Sequence, residues 1–144
     1  MVKCVIMTCY YEDGTIKSVT DCYDNGNRKK YVSYYADGVM EYELFYNENG
    51  VLINEKIYSP TGKITIVNDY TEDGVRKKCT YYEETGYISS VLNFDENGNR
   101  AEEIYYDEMG DLVCKFVFEC YESGEVKKTT KFNPVDKRFS KLYL

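Results

Sequence analysis

Stretches of about eight residues rich in Val, Ile, Thr, Tyr and Phe alternate partially between apolar and polar along this chain, and each ends in a short polar run closed by glycine. Val91-Leu92-Asn93-Phe94 and Ile104-Tyr105-Tyr106 show the pattern. It predicts strands joined by tight turns. The glycines fall at 14, 26, 38, 50, 62, 74, 86, 98, 110 and 124, with a spacing of 12 everywhere except the last, which is 14. This is an internal repeat. Four residues before each glycine stand Tyr10, Cys22, Tyr34, Tyr46, Tyr58, Tyr70, Tyr82, Phe94, Tyr106 and Cys120. Asp13, Asn25, Asp37, Asn49, Asp73 and Asn97 come immediately before glycine, and Asp-Gly and Asn-Gly are strong hairpin signals. Positive φ is expected at each glycine.

Each unit is then one strand plus one turn. A helix pair needs many more residues per unit, and parallel neighbours need a crossover of a dozen or more. The expected fold is therefore all-β: a twisted or curled antiparallel up-and-down meander of about 10–12 strands built from 12-residue strand-turn repeats. Because the spacing is even, parity is expected to select one face throughout. Even positions would then make a rich face, including Ile16, Val32, Tyr34, Met40, Tyr42, Leu44, Tyr46, Tyr58, Tyr70, Tyr82 and Tyr106. Odd positions would mix Glu41, Glu43, Glu55, Asp69 and Glu103 with Tyr31, Phe45, Ile57, Val67 and Val91. A flat layer would leave the rich face wet, so the sheet is expected to curl over it or to meet another copy or a partner.

A second period of 24 appears two residues after glycine, where Arg28, Leu52, Arg76, Arg100 and Val126 alternate with Ile16, Met40, Ile64, Ile88 and Leu112. Alternate turns share a rim, so Arg28-Lys29-Lys30, Arg76-Lys77-Lys78 and Arg100 are expected on one rim, with the first two clusters roughly 20 Å apart. The spacing of 14 before Gly124 predicts a bulge or a longer strand. The domain organisation is a single repeat domain over 1–144, with an N-terminal cap strand at 1–9, repeats over 10–132 and a C-terminal cap at 133–144.

Composition narrows the chemistry. The chain has 144 residues, a net charge of −7, no His and no Trp. Mechanisms that need an imidazole are excluded, and binding to a phosphate backbone is disfavoured. The six cysteines are expected to be reduced thiols in a cytoplasmic protein, and Cys4–Tyr11 is read as the start of the sheet rather than a leader.

Tyr34-Tyr35-Ala36-Asp37-Gly38 and Phe94-Asp95-Glu96-Asn97-Gly98-Asn99-Arg100 resemble the MORN-repeat variants of bacterial antitoxin-like proteins, over roughly residues 10–132. The Tyr-Asp-Gly phrases are also similar to the YD repeats of large toxin shells. The first resemblance implies a non-catalytic binding scaffold, often one that neutralises a toxin or effector.

Metal binding is not expected: Cys4 and Cys9 differ in parity, and Cys114 and Cys120 are too far apart for a knuckle. Asp95-Glu96-Asn97-Gly98-Asn99 echoes a calcium loop, but turn propensity explains the same residues. No cofactor is expected. The candidate partner-binding residues are Arg28, Lys29, Lys30, Tyr34, Tyr46, Tyr58, Tyr70, Arg76, Lys77, Lys78, Tyr82 and Arg100, because interfaces are enriched in Tyr and Arg. The expected function is non-enzymatic: an antitoxin, immunity or inhibitor protein that blocks a toxin or nuclease by stoichiometric binding. The alternatives are a phage-encoded acidic mimic of nucleic acid that inhibits a host defence nuclease, such as an anti-CRISPR, and a structural or membrane-surface scaffold. The expected partner is a protein or a second copy of the chain, with neither nucleic acid nor membrane bound directly.

Overall fold

The computed structural model describes residues 6–134 and 136–142, with side chains over 6–134. Cys4 and the first part of the expected N-terminal cap, and Val135, Tyr143 and Leu144 of the expected C-terminal cap, lie outside the described residues. The chain divides into two compact units, Met1–Gly74 and Val75–Leu144. The first holds β1 (Met7–Tyr10), β2 (Ile16–Cys22), β3 (Arg28–Tyr34), β4 (Met40–Tyr46), β5 (Leu52–Tyr58) and β6 (Ile64–Tyr70). The second holds β7 (Arg76–Tyr82), β8 (Ile88–Phe94), β9 (Arg100–Tyr106), β10 (Leu112–Cys120), β11 (Val126–Asn133) and β12 (Asp136–Leu142). Within each unit the strands pair antiparallel in sequence order, as a meander. The extra spacing before Gly124 appears as a longer strand, since β10 has nine residues where β2 to β9 have seven. The aperiodic tail supplies β12, paired to β11 with Thr130 opposite Lys141. Among the described residues no helix is long and apolar enough to cross a membrane.

The turns repeat one backbone pattern. In the second, the Gly26 amide donates to the Tyr23 carbonyl at 2.9 Å, and the Tyr23 amide donates to the Asn27 carbonyl at 2.8 Å. Gly26 has φ +88°, a conformation that an L side chain enters only with strain. An Asp or Asn stabilises the turn from either of two places. Asp37 sits just before its glycine and accepts the Val39 amide at 3.0 Å. Asp107 sits three before its glycine and accepts the amides of Met109 at 3.0 Å and Asp111 at 2.9 Å. That unit lacks an Asx-Gly pair and closes its turn by the same chemistry.

This closure sets the faces. In the β3–β4 hairpin Tyr34 lies opposite Met40 but Ser33 lies opposite Tyr42, so one residue is absorbed as a bulge beside the turn. Beyond it Val32 pairs with Glu43 and Tyr31 with Leu44, so an even residue always faces an odd one. The next hairpin repeats the offset, with Glu43 opposite Lys56 and Leu44 opposite Glu55. Since cross-strand partners share a face, parity switches at every strand and returns only after two repeats. The expectation of one rich even face fails for this reason. In the first unit one face carries Val19, Lys30, Val32, Glu43, Phe45, Lys56 and Val67, and the other Tyr31, Ser33, Tyr42, Leu44, Ile57 and Ile66.

Within each unit no strand touches any but its sequence neighbours, so each sheet is one layer and does not curl over itself. Among the described residues no large side chain is fully buried. The buried hydrophobic residues are Val32, Cys79 and Val91, and Ser18, Ser33, Glu43, Ser59, Asn68 and Thr80 are buried with them. A sheet without a second layer is held by its backbone ladder and by cross-strand pairs on both faces.

Rim contacts add to this in the first unit. The hydroxyls of Tyr11, Tyr23 and Tyr35, three residues before their glycines, donate to the carbonyls of Tyr34 (2.7 Å), Tyr46 (2.8 Å) and Tyr58 (3.3 Å). Each links a turn to the end of a strand two strands further on. Asn25 and Asn27, in the same turn as Tyr23, both donate to the Glu48 carbonyl at 2.7 Å, tying that turn to the next one on its rim.

Candidate functional site

The residues proposed from the sequence are placed by this lattice. In the first unit Arg28 starts β3, its guanidinium 5.0 Å from the Tyr31 ring and 5.6 Å from the Tyr46 ring. Lys29 lies 5.8 Å from the Tyr23 ring across the turn. Lys30 pairs with Glu43 at 2.7 Å and lies 5.0 Å from the Phe45 ring. In the second unit Arg76 sits 5.6 Å from the Phe94 ring and Arg100 5.4 Å from the Phe118 ring, while Lys77 and Lys78 are exposed at the start of β7. The arginine-on-ring contact keeps one spacing through Arg28 with Tyr46, Arg76 with Phe94 and Arg100 with Phe118, running from a strand start to the far part of the next strand. The contact recurs with the repeat. The first triplet belongs to one unit and the second, with Arg100, to the other.

The tyrosines four before glycine divide between faces. The Tyr58 hydroxyl donates to Glu43 at 2.6 Å on the face of Lys30, Phe45 and Lys56. The Tyr70 hydroxyl reaches Glu55 at 3.4 Å on the opposite face. Tyr34 offers its carbonyl to Tyr11, and Tyr82 ends β7 opposite Ile88. They form no common ladder.

Register instead exposes a middle-strand aromatic surface on the other face. In the first unit the Tyr31 and Tyr42 rings lie 5.8 Å apart at 32°, beside Leu44, Ile57 and Ile66. Burial pushes the Tyr42 phenol up from its ordinary value, against a Ser33 hydrogen bond that lowers it. In the second unit Tyr81, Leu92, Tyr105, Cys114 and Phe116 share a face, with Tyr105 edge-on to Phe116 at 6.2 Å. The Tyr105 hydroxyl donates to Glu103, and that bond, burial and the carboxylate charge push its phenol up to about 12. Tyr31, Tyr42, Tyr105 and Phe116 were missing from the expected site. The parity switch at each turn is the signal that finds them.

Some of the charged groups pair with each other across the strands. Burial raises the Glu43 carboxyl, but hydrogen bonds from Lys30 and Tyr58 and the charges of Lys30 and Lys56 outweigh it and hold the group below its ordinary range. Tyr58 is pushed up to about 12 by burial, by its bond to Glu43 and by that charge. The Lys115 hydrogen bond holds Glu102 low against burial, and Lys128 pairs with Glu119 at 2.7 Å. The calcium-like loop is a turn: Asp95 accepts the amides of Asn97 at 2.9 Å and Asn99 at 2.8 Å. Among the described residues no group of three or more His, Cys, Asp or Glu is placed to hold a metal ion.

Comparisons with known proteins agree with this architecture. The family model of the MORN repeat variant matches residues 27–48, which hold β3, its turn and β4. That stretch is similar to the MORN repeat variant, and the meander repeats the same strand-turn hairpin along the chain. No curated protein matches the chain. Among solved structures, one titled as the GtfA/B complex bound to UDP and GlcNAc is similar at 15% identity and a TM-score of 0.50, over 78% of this chain and 24% of that one. The TcdB2-TccC3 complex is matched at 11% identity and a TM-score of 0.26, over 96% of this chain and 10% of that one. The chain spans a quarter or less of these solved chains, and the first likeness concerns the fold alone.

Proposed function

We propose that this protein is a non-catalytic binding module of antitoxin, immunity or inhibitor type, which blocks a toxin or nuclease by one-to-one binding. The observation that supports it best is the uncovered middle-strand face carrying Tyr31, Tyr42 and Leu44 on a single-layer sheet. Rigid aromatic side chains with a polar tip give large contact area at low entropic cost, which is why interfaces concentrate them. The carboxylates of Glu43 and Glu103 are already bonded to Tyr58 and Tyr105 within the sheet. Lysines paired with glutamates interrupt the face of Val32 in the first unit and of Val91 in the second, which disfavours mimicry of a phosphate row there.

The test is affinity capture from a lysate of the source organism with the wild-type chain and with Tyr31→Ser/Tyr42→Ser. A protein retained at one-to-one ratio, inactivated by the chain and lost by the double variant supports the proposal. A captured protein that keeps full activity at equimolar chain, or capture indifferent to the double variant, overturns it.

A further inference from the structure

The cluster of Lys30, Glu43 and Tyr58 recurs in sequence at every second repeat with changed contents. The lysine position reads Lys30, Asn54, Lys78 and Glu102, and the glutamate position reads Glu43, Val67, Val91 and Lys115. In the first unit the carboxylate of Glu43 takes the Lys30 ammonium at 2.7 Å and the Tyr58 hydroxyl at 2.6 Å. At Glu102 and Lys115 the ion pair is kept with its signs exchanged. The third occurrence differs. Lys78 and Tyr106 stand where Lys30 and Tyr58 stand four repeats earlier, but Val91 replaces the glutamate. Among the described residues the Lys78 ammonium has no carboxylate and the Tyr106 hydroxyl no acceptor. A cavity of about 390 Å³ lies there instead, lined by Lys78, Ile88, Val91, Tyr106 and Gly110. Three of these are an ammonium, a phenol and a floor that is only 6% exposed, Val91.

We propose that this cavity receives the carboxylate of a glutamate side chain presented by a partner protein, in the role that Glu43 fills in the first unit. Lys78 pairs with the incoming charge, Tyr106 donates a hydrogen bond to it, and Ile88 and Val91 cover the methylene stem. A protein source is favoured over a free acid by the apolar floor. A side chain that arrives with its neighbours covers the seat and strengthens the ion pair, whereas a small hydrated acid must shed water with nothing to replace it. The inference rests on the protein-binding reading above and gives the chemistry of one of its contacts.

The probe is N-acetylglutamate N-methylamide, with the glutamine analogue as isosteric control, titrated into the full chain and followed by NMR at the methyl groups of Val91 and Ile88. The glutamate probe is expected to bind saturably in the millimolar range, at least about tenfold better than the glutamine probe, because charge-assisted hydrogen bonds are about twice as strong as neutral ones. Lys78 is exposed, so Lys78→Met keeps the fold while removing the charge, and it abolishes binding. Val91→Glu places a carboxylate in the seat and excludes the probe. Equal affinity of the two probes, glutamate binding that survives Lys78→Met, or binding undiminished in Val91→Glu overturns the proposal. Propionate that binds more tightly than the glutamate probe overturns the protein origin of the carboxylate. Capture of a partner lost with Tyr31→Ser/Tyr42→Ser but kept with Lys78→Met refutes this seat alone, while a seat that binds the probe in a chain that captures nothing refutes the protein-binding reading.

Discussion

Glu43→Gln tests whether the sheet draws stability from its face clusters in place of a second layer. The Glu43 side chain is 9% exposed and its partner Lys30 38%, so the pair stands between a surface ion pair and a buried one. Exposed pairs contribute about 0.2–1 kcal/mol, and breaking a buried pair costs about 3–5 kcal/mol. The carboxylate takes Lys30 on Oε1 and Tyr58 on Oε2, whereas glutamine has one acceptor oxygen, so one bond is weakened from charge-assisted to ordinary and the other loses its acceptor. The expected loss is about 1.5 kcal/mol, or a fall of about 3–6 °C in Tm for a chain of this size. Urea unfolding followed by circular dichroism gives the free energy, and a cycle with Lys30→Met isolates the pair at about 1 kcal/mol. The same variant releases the Tyr58 phenol from about 12 towards 10, read by phenolate absorbance. A loss below about 0.5 kcal/mol with an unchanged Tyr58 titration refutes the reasoning.

Acid should weaken the protein in a defined window. Glu43 and Glu102 have folded pKa values below the ordinary 4.5, so the unfolded chain binds more protons there; their contribution is complete above about pH 4.5 and is lost as pH falls through the folded values, which urea midpoints at successive acidic pH values will show. Tyr58 and Tyr105 act in the opposite sense: their contribution is complete below about pH 10 and lost as pH rises through about 12, so midpoints must decline again in strong alkali. Gly74→Ala should destabilise more than Gly14→Ala, by about 1 kcal/mol, because both have left-handed φ but a Cβ at Gly74 meets Val51 Cγ1 at 3.0 Å while one at Gly14 meets nothing within 4 Å; equal losses in urea melts refute the contact. Tyr23→Phe removes the hydroxyl bond to the Tyr46 carbonyl and should cost about 1 kcal/mol, with faster amide exchange around β4 as its local signature. Arg28→Leu should cost only about 0.5–1 kcal/mol, since Leu52 occupies the same repeat position one period later; a loss of several kcal/mol would show that the ring contacts do more.

The glycine period, the strand-turn unit and the antiparallel order were legible because each is written in single residues: glycine supplies the positive φ, Asp or Asn the amide acceptor, and even spacing the strand length. The faces were not, because they depend on where the turn's closing bulge falls. Ser33 opposite Tyr42, after Tyr34 opposite Met40, is a backbone event with no residue of its own to announce it. Tyr34, Tyr46, Tyr58 and Tyr70 therefore looked like one ladder and proved to be two, whereas Tyr31 and Tyr42 looked opposed and proved to be neighbours on one face. Arg28, read from the sequence as a contact for a partner, lies over the ring of Tyr46 at the end of the following strand, a neighbour the sequence alone does not show.

A single layer also explains where such a repeat can vary. The rims are fixed by local rules, because a turn glycine, its Asx acceptor and the tyrosines reaching the next turn but one each depend on backbone a few ångströms away. A middle-strand side chain depends only on two neighbouring strands, with no opposing layer to fit. Lys30, Asn54, Lys78 and Glu102 can therefore occupy one repeat position, and three of them are answered locally: Lys30 by Glu43, Asn54 by Asp69 at 2.7 Å, and Glu102 by Lys115. Substitution at these sites changes the surface without undoing the sheet, which is the property a recognition surface needs. Among the described residues Lys78 is the position where the local answer is missing, and it is the seat proposed above for a carboxylate from outside the chain.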